Sequence, residues 1–214
     1  MKSFVITIKS EPKSVAIAQR CIDSMPDYNV HMFDAITPKD NPLKLAKEKG
    51  IPLQLFKEGY SRLENCVSAF LSHHTLWEMC YRDQEEYQIF EHDAVCINTI
   101  PKFIPYEGCI SLGAPSYGKF VTPSTIGVNK LTSKPYFPGA HAYRLKPIGA
   151  KTLIGRAKKD ARPTDVYLNR DYFPWLQEYY PWPVVVKESF TTIQRTEGCV
   201  AKHGYKGDYE ILEV

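Results

Sequence analysis

Apolar positions in this chain follow two periods, and the switches between them mark its elements. Phe4-Val-Ile-Thr-Ile8 is a short β-branched run closed by a polar break, which predicts a strand. Val15, Ala18 and Ile22 recur near helical spacing, predicting a helix from Lys13 to Met25 that Pro26 ends. Asn29 to Phe33 predicts a second strand, and this β-α-β opening favours a parallel sheet covered by helices. Lys39 to Tyr60 is irregular, with room for one short helix between Pro42 and Lys49. The strongest helical signal starts at Ser61. Ser61-Arg-Leu-Glu64 has the form of a capping box, and Leu63, Val67, Phe70, Trp77 and Tyr81 follow at helical steps, one apolar face over about five turns.

Tyr87-Gln-Ile-Phe90 predicts the next strand, running directly into Glu91-His92-Asp93. Cys109 to Leu112 predicts another, and Gly113 to Gly139, with four prolines, reads as loop. Pro147 stands at a first helical position, ahead of a basic amphipathic helix from Ile148 to Asp160. Val184 to Val186 predicts a late strand. No repeat or low-complexity linker interrupts the 214 residues, so the expectation is one α/β domain over 1–214 with a mostly parallel, Rossmann-like sheet.

Composition adds limits. No apolar run approaches the roughly 20 residues of a membrane span, and Met1 to Ser10 reads as a strand rather than a signal peptide. The expected location is therefore the cytoplasm, or a host's cytoplasm for a viral protein. The six cysteines form no C-x-x-C pair, which favours reduced, mostly buried thiols. Net charge is only +3, but Gly108 to Arg162 holds ten Lys/Arg against Asp160 alone, +9, leaving −6 elsewhere. Such segregation suggests a polyanionic ligand, a nucleotide's phosphates or nucleic acid, with a solvated basic helix face as the bland alternative.

The chemistry centres on Glu91-His92-Asp93. Acids directly after an apolar strand stand at the carboxyl edge of a sheet, where open α/β folds bind ligands. Strand alternation would put Glu91 and Asp93 on one side and His92 on the other. Two carboxylates there suit Mn²⁺ or Mg²⁺, which can bridge a diphosphate. Gly113-Ala-Pro-Ser-Tyr-Gly-Lys-Phe120 nearly spells a phosphate-binding P-loop. It lacks the Ser or Thr after the lysine, and Thr122-Pro123 breaks any helix behind it, so a loop closing over the ligand with Lys119 near phosphate is the better reading. Trp175 and Tyr179-Tyr-Pro-Trp-Pro183 either stack on a sugar or base or pack the domain edge.

Three ordered motifs carry a resemblance. Phe70-Leu-Ser-His73 followed by Glu91-His-Asp93, then Pro138-Gly-Ala-His-Ala-Tyr143 with Lys146-Pro-Ile-Gly-Ala-Lys151, then Pro163-Thr-Asp165, together resemble glycosyltransferase family 25, the lipopolysaccharide-type enzymes. Ser68 and Ala69 replace that family's Gly and Cys, and His92 replaces the middle acid of its E-D-D motif. The resemblance implies a GT-A-like nucleotide-sugar fold, a UDP-sugar donor, Mn²⁺ or Mg²⁺ on Glu91 and Asp93, and inversion at the anomeric carbon. It makes Asp165 the candidate general base and Asp93 its catalytic companion. Ser72, His73, Glu91 and His141 are implied donor-side residues. For Ser72 and His73 the alternative is a helix end that positions the acidic strand; for His141 it is a buried core histidine. His73 and His74 are adjacent on a helix and make a poor metal pair.

The stretch Phe173 to Pro183 with Phe190-Thr-Thr-Ile193 resembles family-25-type proteins of tailed bacteriophages, which implies hydroxymethylated cytosine in DNA as acceptor. Lys151, Arg156, Lys158 and Lys159 would then contact phosphates beside an extruded base. A glycan acceptor is the alternative. A non-catalytic nucleotide-sugar or DNA-binding protein, motivated by His92, is the reading from another class.

Overall fold

The computed structural model describes residues 1–56, 62–187, 190–193, 210–212 and 214. In chain order the elements are β1 (Lys2–Thr7), α1 (Pro12–Asp23), β2 (Val30–Asp34), a 3-10 turn (Pro38–Asp40), α2 (Pro42–Glu48), α3 (Leu63–Asp83), β3 (Tyr87–Glu91), β4 (Ala94–Cys96), β5 (Cys109–Ser111), β6 (Gly127–Lys130), β7 (Ala142–Leu145), α4 (Pro147–Asp160), α5 (Thr164–Tyr167), β8 (Leu176–Tyr180), β9 (Val184–Val186), β10 (Phe190–Thr191) and β11 (Glu210–Ile211). The central sheet has seven strands in the order β2-β1-β3-β7-β5-β8-β6. Five strands share one direction; β6 and β7 oppose them. This is the mixed, mostly parallel α/β sheet that the β-α-β opening implied. β4 with β9, and β10 with β11, form separate two-stranded ribbons.

Strand alternation sorts the core into two layers. Tyr87 and Ile89 of β3 and Tyr143 and Leu145 of β7 point into the layer that holds α2, α3, α4 and α5. Phe90 and Ala142 point the other way, toward Ala18 and Cys21 of α1. The chain crosses from β1 to β2 on one side and lies beside β3 on the other. The carboxyl ends of β1 and β3 therefore form a topological switch point, where this class of sheet opens a crevice.

α3 departs most from its predicted form. It starts at Leu63 with Arg62 as N-cap and no side-chain capping bond; Ser61 lies outside the described residues. It is buried nearly all round, Asn65, Ser68, Ser72, His73 and His74 included, whereas Tyr81, expected on the apolar face, is 41% exposed. A helix enclosed by the sheet, α2 and α4 has no free polar face, so its hydrophilic residues must find partners inside. Phe70 and Trp77 meet Tyr167 of α5, at centroid distances of 5.3 Å edge-on and 5.6 Å stacked. Each such pair adds about 0.5–1.5 kcal/mol beyond its area. Tyr167 also donates to the Leu153 carbonyl at 2.5 Å, fixing the four-residue α5 against α4.

α1 buries Ser14, Ala18 and Cys21, so its inward stripe is turned onto Ser14 rather than Val15. Gly149 in the first turn of α4 is a close-approach residue: a Cβ there would lie 2.4 Å from the Gly108 carbonyl oxygen. The late aromatic stretch contains β8, which sequence reading took for an aromatic cluster. Cys21, Cys66, Cys80 and Cys109 are buried, and Cys199 lies outside the described residues. Among the described residues no helix is long and apolar enough to cross a membrane.

Candidate active site

Glu91 ends β3, paired in register with Ile6 of β1, and its amide donates to the His141 carbonyl at 3.0 Å. His92 and Asp93 then form a turn into β4. The expectation that alternation holds Glu91 and Asp93 on one side is thereby corrected, because the strand stops at Glu91. Glu91 follows Ile89 onto the α3 face; the turn takes Asp93 out of the pleat.

On the α3 face Glu91 meets His73. His73 Nε2 lies 3.1 Å from Glu91 Oε1, its Nδ1 lies 2.9 Å from the Tyr143 hydroxyl, and Trp77 Nε1 donates to that hydroxyl at 2.8 Å. The polarity of this chain follows from its ends. Burial pushes the His73 pKa down to about 3, so the ring is neutral and carries one N–H. A carboxylate only accepts and an indole N–H only donates. His73 Nε2–H therefore donates to Glu91, Tyr143 O–H donates to Nδ1, and Trp77 donates to Tyr143. His73 thus orients the first acid through a fixed tautomer. Ser72, one residue earlier, is fully buried. Its hydroxyl donates to the Ser68 carbonyl at 2.9 Å and accepts from the Ile36 amide at 2.9 Å. It thereby holds the segment after β2 rather than facing open space. His74 lies over Glu78 on another side of α3, away from Glu91.

His92 turns to the α1 face. Its Nδ1 is 3.1 Å from Ser14 Oγ, which also accepts from the Ile8 amide at 3.0 Å, and its ring packs on Phe190. Burial lowers its pKa too. His92 replaces an acid by filling the layer beneath the crevice.

Asp93 and His141 carry the unsatisfied groups of the site. Asp93 Oδ1 and both ring nitrogens of His141 are buried without a well-formed hydrogen bond among the described residues, the Val184 backbone being a polar neighbour that acts on the ring. Burial brings the His141 pKa down to about 4, opposed by the Asp93 charge and the Val184 backbone. The ring is wedged between two glycines. A Cβ on Gly113 would sit 2.3 Å from Nε2, and one on Gly139, at φ +117°, would sit 2.7 Å from Nδ1. Orphaned buried polar atoms are uncommon enough to call for a ligand or ion. Among the described residues no group of three His, Cys, Asp or Glu converges as a metal cage. A cation shared with a diphosphate needs only one or two protein carboxylates, and Asp93 offers one with an unpaired buried oxygen.

Asp165, at the start of α5, is reached across the crevice by the loop after β5. Tyr117 O–H donates to Asp165 Oδ2, and the Val166 amide donates to Oδ1 at 2.8 Å. Burial raises the Asp165 pKa, while the Tyr117 and Val166 bonds and the Lys134 charge pull it down. Lys134 itself is 8% exposed, with Nζ 4.6 Å from the Tyr117 ring centroid and 5.3 Å from that of Tyr136. Its segment is pinned by buried Glu178 of β8, whose Oε1 accepts from the Thr132 and Ser133 amides at 2.7 and 2.8 Å. Lys119, expected near phosphate, is exposed and makes no hydrogen bond or ion pair among the described residues. Sequence reading missed Tyr117, Tyr143, Lys134 and Glu178. Only Tyr143 had a signal, its place in the Pro138-to-Tyr143 motif.

The basic segment is less free than its composition suggests. Arg144 is fully buried on Gln88 and Tyr28, Lys146 donates to the Tyr106 carbonyl, and Lys134 is buried. Arg156 makes a bidentate pair with Asp160 at 2.9 and 2.5 Å, and Arg162 donates to Tyr172. Lys119, Lys130, Lys151, Lys158 and Lys159 stay exposed. Arg156, expected as a phosphate contact, is held against its own helix by Asp160.

The family model described as Glycosyltransferase family 25 (LPS biosynthesis protein) matches residues 1–106, which hold His73, Glu91 and Asp93. Over that stretch, just under half of the chain, the protein is similar to glycosyltransferase family 25, which makes it a glycosyltransferase. No curated protein matches it. In this glycosyltransferase the match ends before His141 and Asp165.

Buried neutral histidines make the enzyme acid-sensitive. His73 and His141 stay neutral down to about pH 3 and 4, but in the unfolded chain each takes a proton below about 6.5. Both folded pKa values are depressed, so stability rises with pH in this window and falls as pH drops from about 6.5 toward 4. Each group contributes about 1.4 kcal/mol per pH unit. Urea unfolding at pH 7, 6 and 5 is expected to give steadily lower midpoints. A constant midpoint would mean that these rings are solvated.

Proposed function

We propose that this glycosyltransferase moves a sugar from a UDP-sugar to an acceptor hydroxyl on a glycan, with inversion at the anomeric carbon. One observation carries the reading. Asp93 and His141 present unpaired buried polar atoms just past the carboxyl end of β3 and just before the amino end of its antiparallel neighbour β7, at the crevice where a nucleotide diphosphate would sit. Glu91 and Asp93 would hold Mn²⁺ or Mg²⁺, which supplies charge neutralisation to the departing diphosphate. His141 donates a hydrogen bond toward the same anion. Asp165 accepts the proton of the acceptor hydroxyl as that oxygen attacks the anomeric carbon opposite the leaving UDP. The family's description as an LPS biosynthesis protein supports the glycan acceptor.

A hydroxymethylated cytosine acceptor is the second reading, motivated by exposed Lys151, Lys158 and Lys159 on α4. About 10 Å of helix separates Lys151 from Lys158. The test is UDP release with Mn²⁺ over a panel of UDP-sugars. Truncated lipopolysaccharide is added in one arm and hydroxymethylcytosine DNA in the other, at 50 and 200 mM salt. Stimulation by the glycan at both salts is expected. Stimulation by DNA that collapses at the higher salt would move the acceptor to nucleic acid. No release from any UDP-sugar with EDTA-sensitive binding also absent would sink the donor assignment.

A further inference from the structure

Lys134 is an ammonium in an unusual setting. It is 8% exposed, and among the described residues it makes no ion pair and no hydrogen bond. A buried cation costs free energy unless charge or polarisable surface compensates it. Here the compensation is two ring faces, Tyr117 at 4.6 Å and Tyr136 at 5.3 Å. Gly118 makes room. At φ +67° it takes a backbone form open to glycine, and a Cβ there would lie 2.8 Å from Lys134 Nζ. The two rings lie 6.2 Å apart at 30°. The Tyr117 hydroxyl ends on Asp165 Oδ2.

We propose that Lys134 is a positioning residue for catalysis: seated on the Tyr117 ring, it polarises that phenol and keeps Asp165 ionised in its half-buried cleft. The inference rests on the reading of Asp165 as the base. A cation over an aromatic face withdraws electron density from the ring, so the phenol O–H donates more strongly to the carboxylate. Its charge also acts on Asp165 directly. The groups facing Asp165 are the Tyr117 hydroxyl, the Val166 amide, its own backbone amide and the Lys134 charge, against burial by the surrounding protein. Asp165 spends one lone pair of each oxygen on Tyr117 and Val166 and keeps others for the acceptor's proton. Burial alone would leave this carboxyl protonated over more of the working range. Lys134 and Tyr117 oppose that without placing a second full charge in contact with the base.

The test needs no substrate. The full chain is labelled with [¹³Cγ]aspartate, and the Asp165 resonance is assigned by its loss in Asp165→Asn. Its titration midpoint is compared in the wild type, Lys134→Met, Lys134→Arg and Tyr117→Phe. Lys134→Met is expected to raise the midpoint by about one pH unit, a tenfold change in the ionised-to-protonated ratio. Lys134→Arg restores it to within a few tenths, and Tyr117→Phe raises it with the ring retained. An unmoved midpoint in Lys134→Met, or an equal rise in Lys134→Arg, overturns the proposal. If Lys134→Met loses its dispersed spectrum, Tyr117→Phe decides, and an unmoved midpoint there overturns it. The base reading fails separately, if Asp165→Asn releases UDP at the wild-type rate.

Discussion

Asp165→Asn is expected to lower sugar transfer by about 10²- to 10⁴-fold, the usual worth of a general base, with little change in donor binding. The amide is isosteric: its oxygen can still accept from the Val166 amide while its NH2 donates to the Tyr117 hydroxyl oxygen, so α5 keeps its seat on Trp77 and Phe70. What it loses is the ability to take the acceptor's proton as the new bond forms. The clearest signature would be a fall in kcat with an unchanged KM for the UDP-sugar. Hydrolysis of the donor by water would fall as well, because the same base would serve water. A variant with wild-type turnover would leave Asp165 as a structural cap of α5. A variant that fails to bind donor would assign it to the nucleotide instead.

The second large effect is expected from His73→Phe. The ring volume is nearly kept, but both nitrogens go, and with them the bond that orients Glu91. Residues that orient a metal-binding carboxylate are typically worth 10- to 100-fold in metal affinity or activity. Mn²⁺ binding in the presence of UDP is therefore expected to weaken by that factor. Stability also falls, because Tyr143 keeps the Trp77 bond but loses its acceptor, at a cost of about 1–3 kcal/mol for a buried group left unpaired. In a chain of this size each 1 kcal/mol moves Tm by about 2–4 °C. A lowered Tm with unchanged Mn²⁺ affinity would make His73 a packing residue only. His74→Phe is the matched control, since His74 lies over Glu78 rather than Glu91.

These two variants meet in α3. One helix holds Glu91 through His73 and seats α5, and so Asp165, through Phe70 and Trp77. This explains why the Phe70-Leu-Ser-His73 motif is needed in a helix that touches no open surface there. Ser72 ties it to the end of β2, so the motif joins three parts of the crevice wall from behind.

The elements with strong periodicity were legible from the chain alone: β1, α1, α3, β3 and α4 lie within a few residues of their predicted places. Pro147 and Pro26 marked ends because proline's geometry acts locally. The acidic tripeptide at the end of β3 was legible for the same reason, since an apolar strand followed by acids is a local pattern. What the sequence could not decide was direction and pairing. Whether Glu91 and Asp93 share a side depended on where β3 stops, and that is set by β7 and the turn into β4. Whether ten cations form a binding face depended on burial, which removed Lys134 and Arg144 from it and tied Arg156 to Asp160. Lys134 and Tyr117 are 17 positions apart in a loop-rich stretch, and Asp165 is 48 beyond Tyr117. No period links such residues. Only the packing of two loops over α5 brings them together, because side-chain contact at that separation is paid for by tertiary burial rather than by local propensity.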